Sequence, residues 1–129
     1  TKDCLESIER NTTYVNFEVI IVDNASTDGS IDYLENFCSR RDNYLFISNE
    51  KNLGFAKGNN VGLEKATGDI LVVLNNDTYV GPYWLEGLVG ALEKNPELGI
   101  VGPVTNNIGN EAKINISYGN WVQLNNSAI

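Results

Sequence analysis

The sequence predicts an α/β domain built on a mostly parallel sheet with helices on both faces. Three observations lead there. Two short runs, EVIIVD at 18–23 and DILVVLN at 69–75, are continuously aliphatic between polar ends and rich in β-branched residues. Continuous runs of that kind suit strands buried on both faces. Between the predicted strands lie segments whose apolar residues recur at helical spacing. The resulting order of helix, strand, helix, strand through four rounds argues for a parallel α/β sheet.

In chain order, DCLESIER at 3–10 opens the series as a helix with Leu5 and Ile8 on one face. EVIIVD is the first strand, and NASTDGS follows as a loop. From Ser30 to Arg41, the positions Ile31, Leu34, Phe37 and Cys38 form a helical stripe. YLFIS at 44–48 is the second strand. NEKNLGFAKGNN is a glycine- and asparagine-rich loop that leads into a helix through about Ala66, and Thr67-Gly68 ends it. DILVVLN is the third and strongest strand. Pro82 stands in the first turn of a further helix, with Leu85, Leu88 and Leu92 as its stripe and Asn95-Pro96 as its stop. LGIVG at 98–102 is a short fourth strand.

The 129 residues fit one domain, and 42% hydrophobic residues suffice for a core. Residues 104–129 hold seven asparagines and no clear period. They read as an irregular tail. The chain opens on a helix where parallel α/β domains usually open on a strand, and it closes without a terminating element. The expectation is a single partial domain, 1–129, truncated at both ends.

Seventeen acidic residues against nine basic ones give a formal charge of -8. That argues against a nucleic-acid backbone or an anionic membrane as partner, because both need a basic face. The acidity fits either plain solubility or a divalent cation. Histidine is absent, which removes His-based triads and the usual zinc sites. Cys4 and Cys38 have no metal-ligand spacing and sit in predicted amphipathic helices, so buried free thiols are expected. No apolar run approaches the ~20 residues that span a bilayer. Asn11, Asn24, Asn76, Asn115 and Asn125 each open an N-x-S/T triplet, as chance provides in an Asn-rich chain. A reducing, cytoplasmic compartment is expected.

In open α/β sheets, ligands bind beyond the carboxyl ends of the strands. Two predicted strands end in polar clusters. EVIIVD delivers Asp23, followed by Asn24, Ser26 and Asp28; DILVVLN delivers Asn75, Asn76 and Asp77. Each cluster alone reads equally as turn formers or helix caps. Their coincidence points to a site. The third element is NLGFAKGNNVG at 52–62, with Gly54, Gly58 and Gly62 in a loop entering a helix and Lys57 as a point charge. Such a loop presents backbone N–H groups to a phosphate, although a flexible surface loop looks the same. One carboxylate beside amide oxygens is a thin magnesium or manganese site. It becomes sensible when a diphosphate supplies the remaining charge.

VDNASTDGS, NLGFAKGNN and LNNDT, in that order and spacing, resemble the family 2 glycosyltransferases of the GT-A (Rossmann-like) fold, and within them the rhamnosyltransferase-like branch. The resemblance covers about residues 1 to 104. It implies transfer of a sugar from a nucleotide-diphosphate donor to an acceptor hydroxyl, with inversion and metal assistance. It also implies the residue roles. Asp23 contacts the nucleotide base, with Asn24, Ser26 and Asp28 around the nucleoside. Asn52, Gly54, Lys57 and Asn59 pass beside the nucleotide and diphosphate. Asn75, Asn76 and Asp77 match the D-x-D motif, with Asp77 as ligand of Mg2+ or Mn2+ and Asn75 in place of the first acid. Asn75 is then a ligand, a spacer or a sign of weakened function. The family's first strand is expected before Thr1, and its catalytic base beyond Ile129, so no catalytic residue is assigned in this chain. Implied partners are the nucleotide-sugar and a carbohydrate or lipid-linked acceptor, the latter at the inner face of a membrane. Self-association through the truncated sheet edge is expected too. Two other readings stay open: a degenerate, non-catalytic nucleotide-sugar-binding or assembly module, and a sugar nucleotidyltransferase.

Overall fold

The computed structural model describes residues 1–104 and, beyond them, Ala112, Lys113, Asn115, Ser117, Asn120, Val122 and Gln123. Most of the predicted tail at 104–129 therefore lies outside the described residues. The protein is α/β with a parallel sheet. Its elements are α1 (Lys2–Asn11), β1 (Val19–Asp23), α2 (Ser30–Cys38), β2 (Tyr44–Ser48), α3 (Phe55–Leu63) and α4 (Trp84–Lys94). The chain forms two compact units, one of residues 15–73 and the other of residues 1–14 with 74–129.

The unit of residues 15–73 contains the sheet. β1 and β2 pair in parallel from Val19↔Tyr44 to Asp23↔Ser48. Their side chains alternate between two faces. On one face, a Cβ added at Gly62 of α3 would lie 3.2 Å from Val22 Cγ2 and 3.8 Å from Ile20 Cγ2, so glycine lets α3 approach β1 closely. The other face carries Val19 and its register partner Tyr44. There Phe37 of α2 meets the Tyr44 ring edge-on at 5.6 Å, and the Arg41 guanidinium lies 3.6 Å above the Phe37 ring. Helices thus cover both faces. Glu18 closes the unit near the start of β1. Its Oε1 accepts the Thr67 N–H and hydroxyl, each at 2.7 Å. These bonds, the backbone one first, hold the Glu18 carboxyl below its ordinary range.

The other unit is built on α1 and α4. Cys4, Leu5, Ser7, Ile8 and Asn11 bury one face of α1 at helical spacing. Ser7 is fully buried. Its hydroxyl donates to Cys4 O at 2.7 Å and accepts from Val80 N–H at 3.1 Å, while Asn11 Nδ2 donates to Val80 O at 2.7 Å. Two polar side chains of α1 therefore satisfy both backbone groups of a buried residue, which burial would otherwise penalise. α4 begins at Trp84, whose Nε1 donates to Thr12 Oγ1 at 2.9 Å. Glu86 accepts from the Thr13 hydroxyl and from Thr13 N–H. Burial pushes the Glu86 carboxyl up, but these bonds outweigh it and leave it below its usual range. α4 buries Leu85 and Val89, not the straight Leu85, Leu88, Leu92 stripe; Leu88 and Leu92 are half-buried.

Two predicted strands are corrected. Residues 69–75 form no strand, and Ile70 through Val73 are between 38% and 54% exposed. An aliphatic run becomes a strand only beside a backbone that completes its ladder, and among the described residues none does so here. β1 shows the matching gap. Val19 N–H donates to Asn43 O and Asp23 O accepts from Asn49 N–H. In a parallel ladder, the N–H and C=O of Ile20 and Val22 then point away from β2 to an edge without a neighbouring strand among the described residues. Residues 98–102 are likewise not a strand: Leu98 N–H turns back to Asn95 O at 2.9 Å, and Ile100 is 89% exposed.

Candidate functional site

Because β1 and β2 are parallel and in register, their carboxyl ends form one rim. Asp23 ends β1 there and is buried. Its Oδ2 accepts the Ser26 N–H at 2.9 Å, an Asx-type turn that makes the loop fold back over the strand end. Ala25 sits at φ 66 inside that turn.

Asn24 joins this loop to the loop after β2. Its Nδ2 donates to Asn52 Oδ1 at 3.0 Å and to Gly54 O at 3.3 Å. Its Oδ1 accepts from Asn49 Nδ2 at 3.2 Å and from Leu53 N–H at 2.9 Å. Asn52 Oδ1 also takes Gly54 N–H at 2.8 Å. Gly54 lies at φ 77, ψ 174, a region essentially restricted to glycine, and stands at the N-terminus of α3. Asp23, Asn24, Ser26, Asn52 and Gly54 are therefore gathered at one rim.

Other predicted residues are less connected. Asp28 Oδ1 accepts the Ser30 hydroxyl at 2.6 Å and the Ser30 N–H at 3.1 Å, which fastens the start of α2. These bonds lower the Asp28 carboxyl, the hydroxyl being the larger cause. Lys57 and Asn59 stand in the first turns of α3, Lys57 exposed and Asn59 half-buried. Between them, Gly58 is buried against Asn24; a Cβ there would lie 3.4 Å from Asn24 Nδ2.

Asn75, Asn76 and Asp77 belong to the other unit and are exposed. They form a turn in which Thr78 N–H donates to Asn75 O at 3.2 Å. Cys4 Sγ approaches the same carbonyl at 3.6 Å, and Asn76 Nδ2 donates to Thr1 Oγ1 at 2.9 Å. Among the described residues, no three His, Cys, Asp or Glu side chains gather to hold a metal. What Asp77 offers is one exposed carboxylate beside amide oxygens. That hard-oxygen set suits Mg2+ or Mn2+ only when waters and phosphates complete the shell.

Sequence reasoning missed Asn49. The signal was available, since it directly follows YLFIS as Asn24 directly follows EVIIVD. Its backbone N–H extends the ladder to Asp23 O at 2.9 Å and leaves its amide facing Asn24.

Comparison with known proteins bears on the same residues. The family model for glycosyl transferase family 2 matches residues 1–127. An uncharacterized glycosyltransferase of Haemophilus influenzae is 35% identical over 92 residues, covering 71% of this chain and 28% of the relative. Glycosyltransferase AglE of Haloferax volcanii is 31% identical over 84 residues, covering 64% and 28%. A glucosyl-dolichyl phosphate glucuronosyltransferase of the same organism is 29% identical over 90 residues, covering 70% and 28%. The chain spans between 25% and 36% of the length of such relatives. No solved structure matches it. With a matched family model running from the first helix past the rim loops and the Asn75–Thr78 turn, the chain belongs to glycosyl transferase family 2.

Proposed function

We propose that this chain is the donor-binding part of a glycosyltransferase that moves a sugar from a nucleotide-diphosphate donor to an acceptor hydroxyl with inversion. The observation that carries the reading is the rim of the parallel sheet. A buried carboxylate, Asp23, and the α3 N-terminus stand there, held by one amide-linked pair of loops. Asp23 offers an acceptor for the N–H of a nucleobase. The α3 N-terminus and Lys57 offer N–H groups and positive charge to phosphate oxygens.

Asp77, with Asn75 and Asn76, is the set that would hold Mg2+ or Mn2+. Bound there, the ion supplies Lewis-acid stabilisation of a leaving diphosphate. No base is assigned in this chain, and the isolated 129 residues are expected to bind nucleotide without turnover.

The free, buried thiols of Cys4 and Cys38 support a reducing, cytoplasmic location. Among the described residues, no helix is long and apolar enough to cross a membrane. A lipid-linked acceptor would bring the protein to the inner face of one. The unpaired β1 edge and exposed Ile70–Val73 support self-association.

The test is calorimetric titration of uridine, guanosine and thymidine diphosphates, with and without manganese, into the native chain, Asp23→Asn and Asp77→Ala. The reading expects binding that manganese strengthens, that Asp77→Ala makes indifferent to manganese, and that Asp23→Asn weakens. Binding indifferent to metal and to both substitutions would overturn it.

A further inference from the structure

We propose that Asn24 is a positioning residue: its carboxamide clamps residues 49–54 into the shape that starts α3, and it does not touch the ligand. The inference rests on the nucleotide-binding reading of the rim. Resemblance alone implies that Asn24 lines the nucleoside, but the geometry assigns it a different task.

A primary amide offers two N–H donors and two acceptor lone pairs. All four are engaged within the protein, by Asn52 Oδ1, Gly54 O, Asn49 Nδ2 and Leu53 N–H at 2.9–3.3 Å. Nothing remains for a ligand. The amide's orientation follows from its backbone partners. Leu53 N–H requires an oxygen and Gly54 C=O requires an N–H, so turning the amide over would oppose like groups at both. Gly58 closes the fourth side, its missing side chain leaving space for Asn24.

What the clamp holds is the loop's exit. Asn24 and Gly54 N–H share Asn52 Oδ1, so the amide pair sets Gly54 at φ 77, ψ 174. The residue so fixed is the N-cap of α3, between Asn52 and Lys57. Without the clamp, this exposed loop must be ordered by the ligand, and affinity falls by that ordering. The loss comes through the loop, so every nucleoside diphosphate that binds loses the same factor.

The test compares Asn24→Ala and Asn24→Asp by amide hydrogen exchange without ligand, and by titration of uridine, guanosine and thymidine diphosphates with magnesium. Asn24→Ala is expected to speed Leu53 N–H exchange about tenfold, the scale of one hydrogen bond. It should weaken each diphosphate that binds about tenfold, with α2 amides unchanged. Asn24→Asp keeps the acceptor for Leu53 N–H and Asn49 Nδ2 but loses both donors and sets a carboxylate oxygen against Gly54 O. It should keep Leu53 protected and weaken each diphosphate by a factor between those of the native chain and Asn24→Ala. If Asn24→Ala does not fold, Asn49→Ala removes only the 3.2 Å bond and carries the same comparison in smaller measure. Unchanged Leu53 exchange in the folded alanine variant overturns the clamp. So does a loss in Asn24→Ala that falls on one diphosphate and spares the others that bind, because Asn24 would then contact the nucleoside. A native chain that binds no nucleoside diphosphate sinks the proposed function instead, and the exchange comparison still decides the clamp.

Discussion

Gly54→Ala isolates a backbone effect from everything else a substitution can do. At Gly54 an added Cβ meets nothing within 4 Å, so no clash and no packing gain enter. The backbone lies at φ 77, ψ 174, where a residue with a side chain is strained by roughly 1–3 kcal/mol. Alanine also stiffens the unfolded chain, which offsets about 0.4–1 kcal/mol. The net expectation is a loss of about 1–2 kcal/mol. Gly87 provides the opposite control. It lies inside α4, and its added Cβ also meets nothing within 4 Å. With helical dihedrals, Gly87→Ala should stabilise by about 0.5–1 kcal/mol. Gly29, at φ 85, ψ 4, should lose about 1 kcal/mol on becoming alanine. The assay is urea unfolding followed by far-UV circular dichroism. With a slope of about 1–3 kcal/mol per molar, the Gly54 and Gly87 variants should differ by about 1 M in midpoint, on opposite sides of the native chain. A Gly54→Ala midpoint at or above that of Gly87→Ala would refute the reasoning, because the two sites share open surroundings and differ in dihedral angles.

Further outcomes are expected. The Glu18 carboxyl is depressed by its bonds to Thr67, so its stabilising contribution is present above the ordinary carboxylate pKa and is lost as pH falls through the depressed folded value. Glu18→Gln should therefore flatten the acid side of a stability-against-pH curve, and an identical acid limb would count against it. Burial raises both Cys4 and Cys38 above the usual thiol range, so a disulfide reagent at neutral pH should label them slowly until denaturant is added; prompt native labelling would contradict their burial. Sedimentation should show concentration-dependent association that Val72→Lys, a charge in the exposed aliphatic run, reduces. A monodisperse monomer at every concentration would remove the open-edge account.

The fold was legible where local sequence contains its own answer. α1, α2 and α4 each have a helical stripe, and α4 a local stop at Asn95-Pro96, and their observed bounds lie within a few residues of those predicted. EVIIVD and YLFIS were legible because each is the other's partner across a helix-length connection. DILVVLN is the more hydrophobic run and yet forms no strand. Composition reports that a segment would suit a buried ladder; it does not report whether a neighbouring backbone is there to complete one. Exposed Ile70–Val73 and the outward Ile20 and Val22 backbone are two views of that same unmet pairing.

The gathering of Asp23, Asn24, Ser26, Asn52 and Gly54 was legible in the sequence. The placing of Asn75–Asp77 was not, because residues 69–75 form no strand. Roles were less legible still, and amide chemistry explains why. Asp23 and Asp28 were found as strand-end and loop acids. The first is buried at the rim, while the second fastens a helix through Ser30. Both outcomes follow from the same residue type, because a carboxylate satisfies backbone N–H groups as readily as it meets a ligand. For asparagine the ambiguity is wider, since one side chain both donates and accepts. Asn11 completes the backbone of Val80, Asn24 and Asn49 tie two loops together, and Asn76 holds the Thr1 hydroxyl. These four asparagines thus bridge protein to protein. Asn52 is the contrast: its Oδ1 is engaged twice, while its exposed N–H2 makes neither of those bonds. Of the amides on this rim, Asn52 rather than Asn24 has donors left to offer a ligand. A site assigned by residue type alone could not separate the two, because the difference lies in which valences the folded chain has already used.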